Sequence, residues 1–374
     1  MEFSLDTLSK LMADSGVRGL SITRQLQPLG GRGDSVAPPT FAQAEGEEKG
    51  PRYVWSERRS LDIVDDEIFK TCLLDSPASQ ANRIEEALLE LVYAGSLTLP
   101  LHQMEVPHIG QLTDLELPHR VYDAAVGTAT LMDGTYWKKS PVAKQLREAS
   151  RKDARALLEH APLILVLGGW DSHSGTAANA WQGRHEKAVW SKIVAVDAFK
   201  MTRPGGRLDP MGLPPSRKVD LGDGNKELSV QGLGVVPPSL QKFPRTSVTM
   251  RYAEQRSVIS FGVLRNLRFG GSSKDDVARD FLAGLGILGL AALHRSGGHL
   301  RSECDLVCER TNGWQVRRDD APDEALAGVT VERALEVVKE ALDRFPSAKL
   351  SYRRKPIDIK VHENLVAAMG RSDS

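Results

Sequence analysis

"LLDSPASQANRIEEALLELV" (residues 73–92) opens with a short apolar run, turns through a polar elbow and continues at helical spacing. Ala81, Ile84, Leu88, Leu91 and Val92 fall on one side of a 3.6-residue helix, so the stretch predicts a strand feeding an amphipathic helix. Ser76 suits the N-cap, and Pro77 suits the first helical position, where a missing N–H costs nothing. Ser79, Gln80, Asn82 and Arg83 crowd the helix start. There the unpaired backbone N–H groups and an arginine fork can meet a phosphate.

Working outward, strands and helices alternate around two long irregular excursions. "LDTLSKLMADSG" (5–16) predicts a first helix, and residues 26–54, rich in Gly, Pro and acidic side chains, read as a loop or partner-dependent segment. "SLDIVDDEIFKTCLLDS" leads as a strand into the elbow, "LTLPLHQMEV" (97–106) reads as a strand, and "LPHRVYDAAVGTATLM" (117–132) as a helix. "SPVAKQLREASRKDARALLEHA" (140–161) repeats the Ser-Pro start and predicts one amphipathic helix. "PLILVLGGWDS" (162–172) predicts a buried strand ending in a Gly-Gly turn, and "WSKIVAVDAFKM" (190–201) another strand. Residues 202–246 are dense in Pro and Gly and form the second excursion, of a length usual for a functional arm. A strand over 257–271, a buried helix over 272–298, a helix over 330–345 and a basic strand over 348–359 complete the chain. The pattern predicts an α+β or α/β core with arms.

Composition narrows the function classes. Lys+Arg and Asp+Glu number 49 each, so the net charge argues for no class of partner. The charges are nevertheless segregated. Residues 1–134 hold 11 basic against 21 acidic side chains, leaving 38 against 28 for the remainder. A molecule polarised in this way suits head-to-tail stacking with copies of itself, or a polyanion laid on its basic side. Cys72, Cys304 and Cys308 suggest no disulfide framework, the N-terminus carries no export signal, and "FLAGLGILGLAAL" (281–293) falls short of the roughly 20 residues of a membrane helix. The expectation is a soluble cytoplasmic protein with no membrane partner.

Catalytic motifs are sparse. Cys304 and Cys308 lack zinc-ligand spacing, and the nine histidines form no HExxH, so no metal is expected. "GGWDSHSG" (168–175) sets Asp171, Ser172 and His173 side by side, but adjacent residues seldom meet in triad geometry and no GxSxG precedes them. Neither a phosphate loop nor a GxGxxG follows any strand, so no nucleotide cofactor is expected. What recurs is a polar or Gly-rich elbow at the end of a buried strand. The Ser76–Arg83 elbow, Trp170, Ser172 and His173 in "WDSHSG", Arg268 and Lys274 in "RFGGSSK", and Lys138 and Lys139 in "YWKKS" supply arginine forks, lysines and stacking surfaces for a single RNA strand. Each elbow taken alone is more commonly a satisfied cap or turn. Their number is what favours a polyanion groove.

The order "PLGGRGDSVAPPTF", "LLDSPASQANRIEEALL", "PHRVYDA", "LVLGGWDSHSG", "WSKIVAVD" resembles the type I-G (formerly I-U) CRISPR-associated RAMP protein, the "Cas seven" backbone subunit of Cascade. The blocks span roughly residues 28–200. One departure lies after the Pro-Pro-Thr block, where "TFAQAEGE" replaces the family's small-aromatic-Gly ending. The resemblance implies an α+β fold: one RAMP-type domain over 1–374, with an RRM-like (ferredoxin-like) palm, a finger-like segment at 26–54 and a thumb at 202–246. It implies a non-catalytic subunit that stacks helically along a guide RNA (crRNA) and presents it for pairing with target DNA in antiviral defence. Its partners would be copies of itself, Cas five/six-type and large Cascade subunits, and a recruited helicase-nuclease. Carried over, Ser79, Gln80, Asn82 and Arg83 would line the palm beside the RNA. Trp170, Asp171, Ser172 and His173 would form or brace a second wall, and Arg203 and Arg207 would be thumb contacts. The alternative is an RNA-cleaving relative, as in type III backbone subunits, with Asp209, Asp220 or Asp223 as the acidic loop residue, although an Asp in a Gly/Pro loop is ordinarily a turn former.

Overall fold

Long alternating segments build the centre of the protein. In the computed structural model, which describes residues 1–41, 52–59, 68–171, 184–203, 210–214, 216–222, 224–231 and 245–369, eight strands form one antiparallel sheet. Its order is His299–Arg301, Cys304–Arg318, Val17–Pro28, Arg245–Ser260, Val189–Arg203, Ile68–Asp75 and Trp55–Arg59, with Glu324–Leu326 also pairing with Cys304–Arg318. Period-two alternation sorts the strands into two faces. Leu20, Ile259 and Val189 are cross-strand partners in one row, Leu26, Ala253 and Ala195 in another, and all six are buried. The intervening rows point the other way. They are Ser21–Val258–Trp190, Thr23–Arg256–Lys192 and Gln25–Glu254–Val194, and every member is half-buried.

Helices cover the first face. Pro77–Tyr93 starts where the sequence predicts, with Ser76 as N-cap accepting from the Ser79 amide at 3.2 Å and Pro77 at the first position. Ser272–Arg295 runs through the middle of the protein, packed by Pro77–Tyr93, Val331–Asp343, Leu5–Ala13 and Pro162–Leu167. It is long and apolar enough to cross a membrane by length and composition, yet Phe281, Leu282, Leu285, Ile287, Leu288 and Leu290 are wholly enclosed by protein. Its glycines permit close approach. A Cβ on Gly289 would lie 2.7 Å from Cγ2 of Ile84. Val331–Asp343 is capped by Thr330, whose hydroxyl accepts from the Arg333 amide at 3.1 Å.

Several expectations need correction, most of them where a short apolar run or a mixed pattern left the period undecided. Residues 162–167 form a buried helix, not a strand: Pro162 opens it, and only Gly169–Trp170 is extended. The single helix expected over 140–161 is two, Pro141–Glu148 and Arg155–His160. Between them the Ser150 and Asp153 backbones pair with each other at 3.0 Å, and the Ala154 amide donates to the Arg268 carbonyl at 2.8 Å. Residues 117–132 hold only short turns, Arg120–Tyr122 and Ala124–Gly127, then the strand Thr130–Leu131. The strand expected over 257–271 stops at Ser260, whose side chain caps the helix Phe261–Arg265. Of the tail strand only Ile357–Lys360 forms, in a second, four-stranded sheet with His102–Val106, Gly110–Thr113 and Thr130–Leu131. The architecture is α+β, with an antiparallel main sheet and a mixed second sheet in which Ile357–Lys360 runs parallel to His102–Val106.

Candidate nucleic-acid interface

The polar elbow at 75–83 turns its hydrogen bonds inward. Asp75 ends its strand almost fully buried, at 1% exposure. Its Oδ2 accepts from Gln80 Nε2 at 2.6 Å and Arg83 Nε at 3.0 Å, and its Oδ1 accepts from Arg301 Nη2 at 3.2 Å. Arg83 also donates to the His299 carbonyl at 3.1 Å and the Leu300 carbonyl at 2.6 Å, tying the helix to the hairpin beyond it. Gln80 Oε1 accepts from Ser191 Oγ and Gln255 Nε2, both at 2.8 Å. Ser257 Oγ lies 3.0 Å from Ser191 Oγ and 3.1 Å from His294 Nε2. Burial, reinforced by the Arg24 charge, pushes the His294 imidazole down to about 3, so it is neutral at physiological pH. Such a network is favourable only when its members are all satisfied, which accounts for the run of polar residues in one short stretch. Ser79 is half-buried at the cap, and Asn82 is exposed.

The second block is braced in the same way. Gly168 sits at φ +82°, and a Cβ there would lie 3.1 Å from the His185 carbonyl oxygen and 2.7 Å from Lys187 Cγ, so the turn requires glycine. Arg120 donates to the Gly168 carbonyl at 3.1 Å and grips the buried Glu85 carboxylate through Nε and Nη2, joining "PHRVYDA", the elbow helix and "LVLGG". Tyr122 OH lies 3.1 Å from His185 Nε2, with the two rings stacked at 9°. Burial pushes His185 down to about 4, opposed by the Asp171 charge, so this imidazole is also neutral. Trp170 is exposed, and Ser172 and His173 lie outside the described residues.

The remaining expected contacts are dispersed. Lys138 and Lys139 lie exposed on the turn Trp137–Lys139, Lys139 Nζ 5.7 Å from the Tyr136 ring centre. Arg268 is exposed but directs Nη1 to the Arg265 and Leu267 carbonyls, at 2.6 and 3.1 Å, and Lys274 is half-buried in the first turn of Ser272–Arg295. Arg203 ends the strand Val189–Arg203, and Arg207 lies outside the described residues, as do Asp209 and Asp223. Asp220 Oδ1 accepts from the Gly222 and Gly224 amides at 2.9 and 3.1 Å, holding the turn between Lys218–Asp220 and Asn225–Glu227.

The far face of the main sheet carries a polar cluster that lies on no elbow. Arg256 and Lys192 are cross-strand partners there, beside Trp190, Tyr252 and Thr23. Arg58 Nη1 reaches Glu254 Oε1 at 2.6 Å, and Arg256 Nε lies at the same distance from that oxygen. Burial alone would raise the Glu254 carboxyl, but the bonds from Arg58 and Arg256 hold it below its usual range. Three cations against one carboxylate leave the patch positive. The signal was present in the alternation of "YAEQRSV" (252–258), whose every second residue faces away from the helices.

Residues 20–200, a little under half of the chain, match the family model described as CRISPR-associated protein GSU0053. That family is the type I-U/I-G Cas seven family, the one the sequence blocks resemble. No curated protein matches the chain.

Proposed function

We propose that this chain is a non-catalytic guide-RNA-binding backbone subunit of a type I-G Cascade, built on an RRM-like palm. The observation that carries the reading is the central strand order. Cys304–Arg318, Val17–Pro28, Arg245–Ser260 and Val189–Arg203 lie side by side and antiparallel, with Pro77–Tyr93 and Ser272–Arg295 as the two connecting helices. That is the 4-1-3-2 order of a ferredoxin-like βαββαβ unit, extended at its edge by Ile68–Asp75 and Trp55–Arg59. In RNA-binding sheets of this kind the face opposite the helices receives the strand. Here that face offers Arg58, Lys192 and Arg256 for phosphates, which compete with Glu254 for the guanidinium groups, and Trp190 and Tyr252 for bases. Asn82 contributes from the elbow, while Gln80 and Arg83 fix the helix and the hairpin around it. The parts of 26–54 and 202–246 beyond those strands supply the finger-like and thumb regions. Copies stack along the guide in the cytoplasm, other Cascade subunits flank them, and DNA cleavage belongs to a recruited helicase-nuclease.

Fluorescence anisotropy of labelled single-stranded RNA over a salt series tests the reading. Each phosphate contact on a single strand contributes about 0.7 to the slope of log affinity against log salt, so Lys192→Ala with Arg256→Ala should lower it by about 1.4. An unchanged slope, or no binding at low salt, overturns the assignment.

A further inference from the structure

Beside the row of Arg256 and Lys192 on the far face of the main sheet lies a row of different chemistry. Gln25 and Glu254 are cross-strand partners there, both half-buried on the side away from the helices. We propose that this pair reads the ribose 2′-hydroxyl of a bound strand, so that the face prefers RNA to DNA; this rests on the guide-RNA reading above. A 2′-hydroxyl is at once a donor and an acceptor, and it is the group by which a site tells RNA from DNA. Directly opposed residues of an antiparallel pair have Cβ atoms about 4.5–5.5 Å apart, close enough for two side chains to meet one hydroxyl.

Each side chain supplies the half of the contact that the other lacks. An ionised carboxylate only accepts, whereas a carboxamide also donates. Glu254 Oε1 is taken by Arg58 Nη1 and Arg256 Nε, both at 2.6 Å, while Oε2 holds Arg256 Nη2 alone, at 3.2 Å. Of the roughly four acceptor positions of a carboxylate, one on Oε2 is therefore left. Phosphates that draw either arginine away open more. Burial raises the Glu254 carboxyl, but the bonds from the two arginines leave it below its usual range, so it is ionised at physiological pH. The Gln25 carboxamide makes no hydrogen bond among the described residues, and neither of its polar atoms is sealed from water. Placement selects the sugar rather than the phosphate. Arg58 approaches Glu254 from the edge strand, and Arg256 and Lys192 stand in the next row, so cations bracket the carboxylate. Cations on both sides suit successive phosphates, and the group between two phosphates of a strand is the ribose. A phosphate set directly on the carboxylate would be repelled.

The test uses the full chain and fluorescence anisotropy with one labelled uridine oligonucleotide in three forms: RNA, 2′-deoxy and 2′-fluoro. Fluorine cannot donate a hydrogen bond, and uracil has no exocyclic amine to engage Glu254 in place of the sugar. Glu254→Gln and Gln25→Ala accompany the unmodified protein. The expected result is RNA binding roughly fivefold tighter than either analogue, the size of one lost hydrogen bond, with the ratio falling to within about twofold of one in both variants. A ratio near one in the unmodified protein, or a ratio that either variant leaves unchanged, overturns the inference and leaves the sheet-face reading standing. Equal weakening of all three strands by the variants overturns it too, and makes the pair a brace for Arg58 and Arg256. Absence of RNA binding, or a salt slope unmoved by Lys192→Ala with Arg256→Ala, overturns both.

Discussion

Replacing Arg83 by Ala separates a residue that builds the groove from one that touches its contents. The side chain is 22% exposed and Asp75 is 1% exposed, so the pair is shielded from solvent on one side only. The substitution removes one charge-assisted bond to Asp75, worth roughly 1.5–3 kcal/mol, and two bonds to the carbonyls of His299 and Leu300. Arg301 and Gln80 remain to satisfy the Asp75 carboxylate, which limits the loss. A net destabilisation of about 2–4 kcal/mol follows, against no more than about 0.5 kcal/mol for Asn82→Ala at an exposed site. Asp75→Ala leaves two arginines without their shared partner and costs roughly 3–5 kcal/mol. Combining it with Arg83→Ala should cost less than the sum of the two, because the residues belong to one network. Urea unfolding followed by tryptophan fluorescence reads all four variants. Stability unchanged in Arg83→Ala, with RNA retention abolished, would show that the elbow faces the ligand and would refute the inward assignment.

The long core helix gives a paired prediction: Gly289→Ala should lower stability, because its Cβ meets Ile84 at 2.7 Å, while Gly284→Ala meets Val337 only at 3.4 Å and should be neutral or stabilising by up to about 1 kcal/mol, both measured by urea midpoint. Burial raises the Asp280 carboxyl from 3.8 to about 6, despite the Ser9 hydroxyl donating to it at 2.5 Å. Between those values the folded state holds a proton that the unfolded chain does not, so stability falls as pH rises from about 4 to 6, and Asp280→Asn should flatten that part of the profile. His294 has the opposite sign: its folded value of about 3 lies below the unfolded 6.5, so it withdraws stability as pH falls below 6.5, and His294→Gln should reduce the acid sensitivity seen in pH-dependent urea midpoints.

Where a pattern was long and periodic, it was legible. The helix at 77–93 with its Ser76 cap, the helix at 331–343 and the strand at 189–203 formed where spacing placed them. The six residues Pro162–Leu167 are apolar on all sides, and such a run has no period, so only tertiary contact decides between helix and strand. The break at 149–154 depends on the Arg268 carbonyl, more than a hundred residues away, which no local pattern records. The candidate site shows the same division. A cluster such as Ser79, Gln80, Asn82 and Arg83 marks a polar node, but whether it faces water or the core is set by Asp75, Ser191, Gln255 and Arg301, which arrive from four strands. The far-face row joining Thr23, Arg256 and Lys192 is likewise assembled from three strands and exists only in register.

Ultraviolet crosslinking of the purified protein to bound single-stranded RNA, with the crosslinked peptides sequenced by mass spectrometry, addresses the central claim most directly. The account predicts that the protein carries RNA and that crosslinks concentrate in residues 190–194 and 252–258, around Trp190, Tyr252 and Arg256. RNA-free protein that forms no crosslinks, or crosslinks on the helix-covered side with none on the far face of the sheet, would contradict it.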